Sequence, residues 1–209
     1  RICYNPYIQT PGQRLVNMTE QYWDGQNWLE VHEDNSLISF CLNGELHRND
    51  GPAKIWYYKR NKVMLKMYFQ NGFLHRSDAP AEIWYDEKGK KVSEKFCKNG
   101  EIHRRDGPAE IYYFENENIQ VKYYYFNGFL HRINGPAQIW YNKKGNMISE
   151  AYYQNDQLHC DYGPAKINYD KKGNMISKMY FQNGQLHCDY GPAKINYDKK
   201  GNMISKMYF

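Results

Sequence analysis

The sequence has no apolar run near the roughly 18 to 20 residues that a membrane-spanning helix needs, and no window keeps a 3.6-residue apolar period. A membrane-spanning helix is therefore not expected, and helix content should be low. From Arg1 onward no secretory signal peptide is visible. Cysteine is scarce: Cys3, Cys41, Cys97, Cys160 and Cys188 form an odd, irregular set that does not read as a disulfide framework. They read as reduced thiols in an intracellular, cytoplasmic setting. A lone sequon, Asn17-Met18-Thr19, bears only on a secreted protein. Charge is not concentrated in one sign either. The 28 basic and 23 acidic side chains leave a net charge of +5, which is weak evidence for a polyanionic partner. No phosphate-binding loop or nucleophile elbow occurs.

What the sequence does have is aromatic surface: 17% of residues, most of them among 21 tyrosines. Such rings suit half-exposed sheets better than a thick dry core, and their abundance argues against disorder. It also has a period. Stepping by 28 from Asn43 gives Asn71, Asn99, Asn127, Asn155 and Asn183. The next residue is Gly44, Gly72, Gly100, Gly128, Asp156 or Gly184. Histidine recurs in the same register at His47, His75, His103, His131, His159 and His187, and so does proline at Pro52, Pro80, Pro108, Pro136, Pro164 and Pro192. Residues 155–181 and 183–209 differ only at Asp156 against Gly184. A period in this range identifies a repeat array rather than a single globular core. The units are 43–70, 71–98, 99–126, 127–154, 155–182 and 183–209.

Each unit reads as two strands. After the proline, Ala-x-Ile-x-Tyr (Ala53, Ile55, Tyr57 in the first unit) has period two and puts those three on one face, with Lys54 and Trp56 on the other. Proline is tolerated at a strand's first residue. A glycine-containing turn follows, as in Asp170-Lys171-Lys172-Gly173-Asn174. A second strand, such as 176–181, then runs through a fixed aromatic position (Phe40, Tyr68, Phe96, Tyr124, Tyr152, Tyr180, Tyr208) to the next Asn-Gly turn. The stretch between Asn-Gly and Gly-Pro reads equally as a short third strand or an extended connection. Residues 1–42 keep the register only in part. They read as a degenerate capping unit, acidic by Glu20, Asp24, Glu30, Glu33 and Asp34 against Arg1 and Arg14.

The signature Tyr-Phe-Gln-Asn-Gly-x-Leu-His, followed by Gly-Pro-Ala-x-Ile-x-Tyr and a glycine turn, resembles a lengthened MORN repeat over 43–209, with a longer unit and Pro-Ala in the second strand. Similar Leu-His-Arg-x-Asp-Gly-Pro-Ala arrays occur in large DNA viruses and some bacteria. The resemblance implies a ribbon of antiparallel hairpins used for scaffolding, dimerisation or membrane-associated assembly, without catalysis.

Repetition itself bears on chemistry. Equivalent residues in a two-strand unit sit about 9.6 Å apart, twice the strand spacing, so like side chains form columns. Six histidines in a column cannot share one zinc at ligand distances of about 2 Å, so structural histidines are expected, and no metal or cofactor. The same spacing is too wide for a Cys160–Cys188 disulfide. A catalytic site needs singular residues converging on one point, which a column does not provide. The basic column Arg48, Arg76, Arg104, Arg132 lapses to Cys160 and Cys188, and Lys66, Glu94, Lys122, Glu150, Lys178, Lys206 alternate in sign. That is a poor track for nucleic acid, and a solvated, self-paired sheet face is the expected alternative. The column Trp56, Trp84, Tyr112, Trp140, continued by Asn168 and Asn196, offers an aromatic stripe. Its two readings are cross-strand stacking that rigidifies the ribbon and a surface that docks a partner.

The expectation is thus an all-β, elongated, single-layer antiparallel hairpin array. Its expected role is a non-enzymatic scaffold that assembles with protein partners or with itself, intracellular or virion-associated. A peripheral membrane module and a nucleic-acid-binding module are the alternatives.

Overall fold

The computed structural model describes residues 20–33, 36–59 and 62–209, together with the backbone of 2–3; of Lys59, too, only the backbone is described. The Cys3 thiol, the Asn17 sequon, and Arg1, Arg14 and Asp34 lie outside the described residues. Among those described, every regular element is a strand and none is a helix. The chain divides into two compact units, residues 1–91 with 96–100 and residues 92–95 with 101–209.

In the first unit Glu20–Trp23, Trp28–Glu33, Leu37–Leu42, Lys54–Lys59, Lys62–Met67 and Glu82–Tyr85 pair in chain order, each antiparallel to the next. The second unit begins its ladder at residues 93–95. It continues through Glu110–Tyr113, Ile119–Tyr123, Gln138–Tyr141, Met147–Ala151, Lys166–Tyr169, Met175–Met179, Lys194–Tyr197 and Met203–Met207. Among the described residues no pairing joins the first strand of either ladder to its last, so both sheets are open. The expected all-β array of sequential hairpins is the observed fold.

Two details of the unit differ from the sequence reading. First, Leu37–Leu42 runs through Phe40 as expected, but from the next unit on the second long strand stops before the aromatic position: Met175–Met179 ends, and the Tyr180 amide turns to donate to the Ala193 carbonyl at 2.8 Å. Phe181–Gln182 then pairs with Gln185–Leu186 around the Asn-Gly turn, so the open question of a third strand resolves into a two-residue strand on a small hairpin of its own. Second, five of the long hairpins carry a β-bulge, whereas Glu20–Trp23 with Trp28–Glu33 pairs without one. The register slips between Trp56 and Tyr57, Tyr112 and Tyr113, Trp140 and Tyr141, Asn168 and Tyr169, and Asn196 and Tyr197. The extra residues are Met64, Gln120, Ile148, Ile176 and Ile204. A bulge re-aims a side chain and sharpens twist without ending the ladder.

The buried interior is thin and assembled from columns. Ala53, Ala81, Ala109, Ala137, Ala165 and Ala193 are fully buried, and Ile83, Ile111, Ile139 and Ile195 nearly so. Along this face isoleucines pair with charged residues of the next strand: Ile55 with Lys66 and Lys66 with Ile83, then Ile111 with Lys122 and Lys122 with Ile139. The aliphatic stems of such long side chains can lie along apolar surface while the charged ends stay at its edge.

Candidate functional site

The histidine column is built into the backbone. Nδ1 of His47 accepts the amide of Asn71 at 3.1 Å, and the bond recurs from Asn99 to His75 (3.1 Å), Asn127 to His103 (3.1 Å), Asn155 to His131 (3.3 Å) and Asn183 to His159 (3.2 Å). Each of these five asparagines is left-handed, with φ between 49° and 51°. Asparagine tolerates that conformation better than most residues, and the imidazole of the preceding repeat fixes it there. Nδ1 of His47 and of His75 also lies 3.0 and 2.8 Å from Oδ1 of Asn71 and Asn99. In the last two repeats the other ring nitrogen, Nε2 of His159 and His187, meets a carboxylate, Asp161 at 2.9 Å and Asp189 at 2.8 Å. No group of three or more metal-ligating side chains occurs among the described residues.

The arginine column, read from sequence as a broken basic track, is a clamp. Arg76 and Arg132 lie 3.8 Å over the rings of Tyr68 and Tyr124, and Arg48 lies 4.2 Å over Phe40. Nη1 of Arg76, Arg104 and Arg132 donates to the carbonyls of Pro80 (3.3 Å), Pro108 (3.2 Å) and Pro136 (3.2 Å). The proline column therefore does more than start a strand, since its carbonyls anchor the guanidinium. A Cβ on Gly51 would lie 2.9 Å from Cζ of Arg48, so the glycine before proline there gives the guanidinium room. The periodic arginine was visible in the sequence, but its partners were not, because the ring sits eight residues upstream and the carbonyl four downstream.

The alternating Lys and Glu column pairs with tyrosine rather than with itself. Tyr113 Oη donates to Glu94 at 2.6 Å and Tyr169 Oη to Glu150 at 2.7 Å. Where the column carries lysine, Nζ of Lys66 lies 5.6 Å from the Tyr85 ring and that of Lys122 5.4 Å from Tyr141. Burial, and then the hydrogen bond to the glutamate, pushes the phenols of Tyr113 and Tyr169 well above their ordinary range.

The opposite face holds the aromatic column. Trp56 and Trp84 in the first unit do not stack on each other, nor do Tyr112 and Trp140 in the second, because an aliphatic residue of the intervening strand separates each pair; on its other side Tyr112 pairs with Ser93. Leu65 pairs with both Trp56 and Trp84, and Val121 with both Tyr112 and Trp140. Leu65 and Val121 are 3% and 2% exposed, whereas Trp56 is 37% exposed and the other three rings are half-buried. Tyr123 stands edge-on to Tyr112 and to Trp140, at 6.2 and 6.3 Å. Two of the four rings have their polar atom occupied within the strand: Trp84 Nε1 donates to Glu82 at 2.8 Å and Tyr112 Oη to Glu110 at 2.9 Å. Beyond Trp140 the row becomes polar and self-bonded. Ser149 Oγ donates to Asn168 Oδ1 (2.8 Å), Asn168 Nδ2 to Ser177 Oγ (2.8 Å) and Asn196 Nδ2 to Ser205 Oγ (2.8 Å).

Cys41, Cys97, Cys160 and Cys188 carry free thiols. No helix among the described residues is long and apolar enough to cross a membrane. Searches against known protein families and against curated proteins found no match to the chain.

Proposed function

We propose that this chain is a MORN-like structural module that assembles with protein partners through the aromatic face of its sheet, and that it acts without catalysis. One contrast supports the reading. The histidine, tyrosine and glutamate columns bond neighbouring repeats and the arginines bond the proline carbonyl of their own repeat, while the Trp56, Trp84, Tyr112 and Trp140 row presents ring surface to solvent. Half-exposed aromatics are enriched in contact surfaces between proteins. Aliphatic residues packed between the rings hold them in place, which lowers the entropy lost on docking.

The test is a variant carrying Trp56→Ala, Trp84→Ala and Trp140→Ala, checked for retained β structure by circular dichroism. Its assembly mass and its cross-linked partners are compared with those of the parent chain. Loss of oligomers or cross-linked partners is expected. Unchanged assembly accompanied by loss of vesicle or oligonucleotide binding would replace the reading with a membrane or nucleic-acid role.

A further inference from the structure

The turns that close the long hairpins depart from strict repetition in their charge. The segment 142–146 reads Asn-Lys-Lys-Gly-Asn, and 170–174 and 198–202 read Asp-Lys-Lys-Gly-Asn. Their first residue fixes the loop: Asn142 Oδ1 accepts the amides of Lys144 and Asn146, Asp170 those of Lys172 and Asn174, and Asp198 those of Lys200 and Asn202, all between 2.7 and 3.1 Å. Neighbouring turns are also tied, since Asn146 Nδ2 donates to the Lys171 carbonyl at 3.3 Å. The six lysines are exposed, and among the described residues none has a carboxylate within the 4.0 Å of an ion pair. Six lysines less Asp170 and Asp198 leave +4 on three turns, against a net +5 for the whole chain. The equivalent turn at 114–118, with Glu115 and Glu117 and no basic residue, has the opposite sign.

Beside these turns lies a groove of about 890 Å³, lined by Trp140, Ile148, Ile176, Tyr169, Lys171 and Lys199 among others. The bulges make its apolar walls. Ile148 and Ile176 are the extra residues of their hairpins, which brings them to the groove next to Ser149 and Ser177. The serine and asparagine on its floor already bond each other, so the floor offers contact rather than free polar groups. The result is an apolar trough with a lysine rim.

We infer that this groove docks an acidic, extended segment of a protein partner, with one apolar side chain over Trp140 and carboxylates on the lysine turns. Charge complementarity selects the acidic chemistry. Successive turns sit about 9.6 Å apart, close to the roughly 10 Å that three residues of an extended chain span, so acidic residues three apart meet consecutive turns. Single-stranded nucleic acid is disfavoured because successive bases need a run of rings, and the row past Trp140 continues as Asn168 and Asn196. The inference rests on the protein-assembly reading and names the chemistry of one partner contact.

The test measures binding of the intact chain to a fluorescent acidic peptide bearing one central leucine, by anisotropy at low and physiological salt. The comparison probes are the same peptide with alanine for leucine, a single-stranded oligonucleotide, and vesicles of phosphatidylcholine with phosphatidylserine. Lys171→Glu with Lys199→Glu is expected to weaken the leucine peptide by about tenfold or more, and salt to weaken it further. Ile148→Ser with Ile176→Ser is expected to abolish the preference for leucine over alanine. Three results would each overturn the inference: equal binding by the charge-reversed chain, no leucine preference, or tighter binding of oligonucleotide or vesicle than of peptide. Should the peptide fail to bind while the assembly lost in the tryptophan variant is intact in the parent, this groove is not the contact and the broader assembly reading stands.

Discussion

Up to residue 154 each unit follows its histidine with arginine; from 155 it follows it with cysteine. The aromatic row changes over the same span, from Trp140 with Val121 to Asn168 and Asn196 with Ser177. Backbone geometry does not change with them. Asn127 and Asn183 have φ of 49° and 50°, their amides reach the preceding histidines at 3.1 and 3.2 Å, and the bulge falls at the same place in both hairpins. The turn asparagine, the histidine and Pro-Ala-x-Ile-x-Tyr are common to both regions and accompany the same fold of the unit. Arginine, tryptophan and the turn charges are variable fittings that give each stretch of sheet its own surface.

Several substitutions would break or sharpen this comparison. The largest effect is expected from Leu65→Ala, which empties the slot between Trp56 and Trp84 and costs about 2 to 4 kcal/mol in chemical denaturation. Arg132→Cys imposes the later chemistry on an earlier unit. It removes a ring contact and a charged hydrogen bond, and a loss of about 1 to 2 kcal/mol is expected. A loss as large as that of Leu65→Ala would mean that arginine is part of the common frame after all. Glu117→Gly tests the frame itself, because Glu117 has φ of 66° where the equivalent positions are glycines, Gly89, Gly145 and Gly173, with φ between 81° and 88°. Relief of that strain is expected to raise stability by about 1 kcal/mol. Asp156→Gly at φ of 65° is expected to gain nothing, because Asp156 Oδ1 accepts the Leu130 amide at 2.7 Å.

The smallest effect is one of pH. Tyr113 and Tyr169 bind their protons more tightly folded than unfolded, so their contribution is complete below the unfolded phenol value of about 10. It is lost as pH rises through the higher folded value. Tyrosinate absorbance should therefore show these two phenols titrating after the exposed ones in the parent, with the late phase reduced in Tyr169→Phe. Titration of every tyrosine in a single phase would contradict the Glu94 and Glu150 bonds.

How far the fold could be read from sequence depended on distance along the chain. The two-strand unit, the Asn-Gly turn and the face assignment of Ala, Ile and Tyr follow from local periodicity, and the register bears them out. The bulge did not show, because one additional residue between Trp140 and Ser149 looks like ordinary loop-length variation until the partner strand is known. The break at Tyr180 was hidden for a similar reason, since its amide is claimed by Ala193 of the next unit. The same applies at the candidate site. The column Trp56, Trp84, Tyr112, Trp140 was legible as a column, but Leu65 and Val121, which keep its rings apart, come from a strand whose apolar positions carry no signature. Histidine as a structural element was expected; its specific bond to the asparagine of the following unit was not.

That bond has a consequence for how such a chain lengthens. Each imidazole fixes a turn that belongs to the next copy, so the conformational information for a turn is imported from one side only. Gain or loss of a whole 28-residue block preserves every such donor–acceptor partnership, while insertion of a single residue between a histidine and the asparagine that follows would sever one. Genetic drift in this protein should accordingly proceed by duplicating and deleting complete segments, and the near identity of 155–181 and 183–209 is what a recent event of that kind leaves behind.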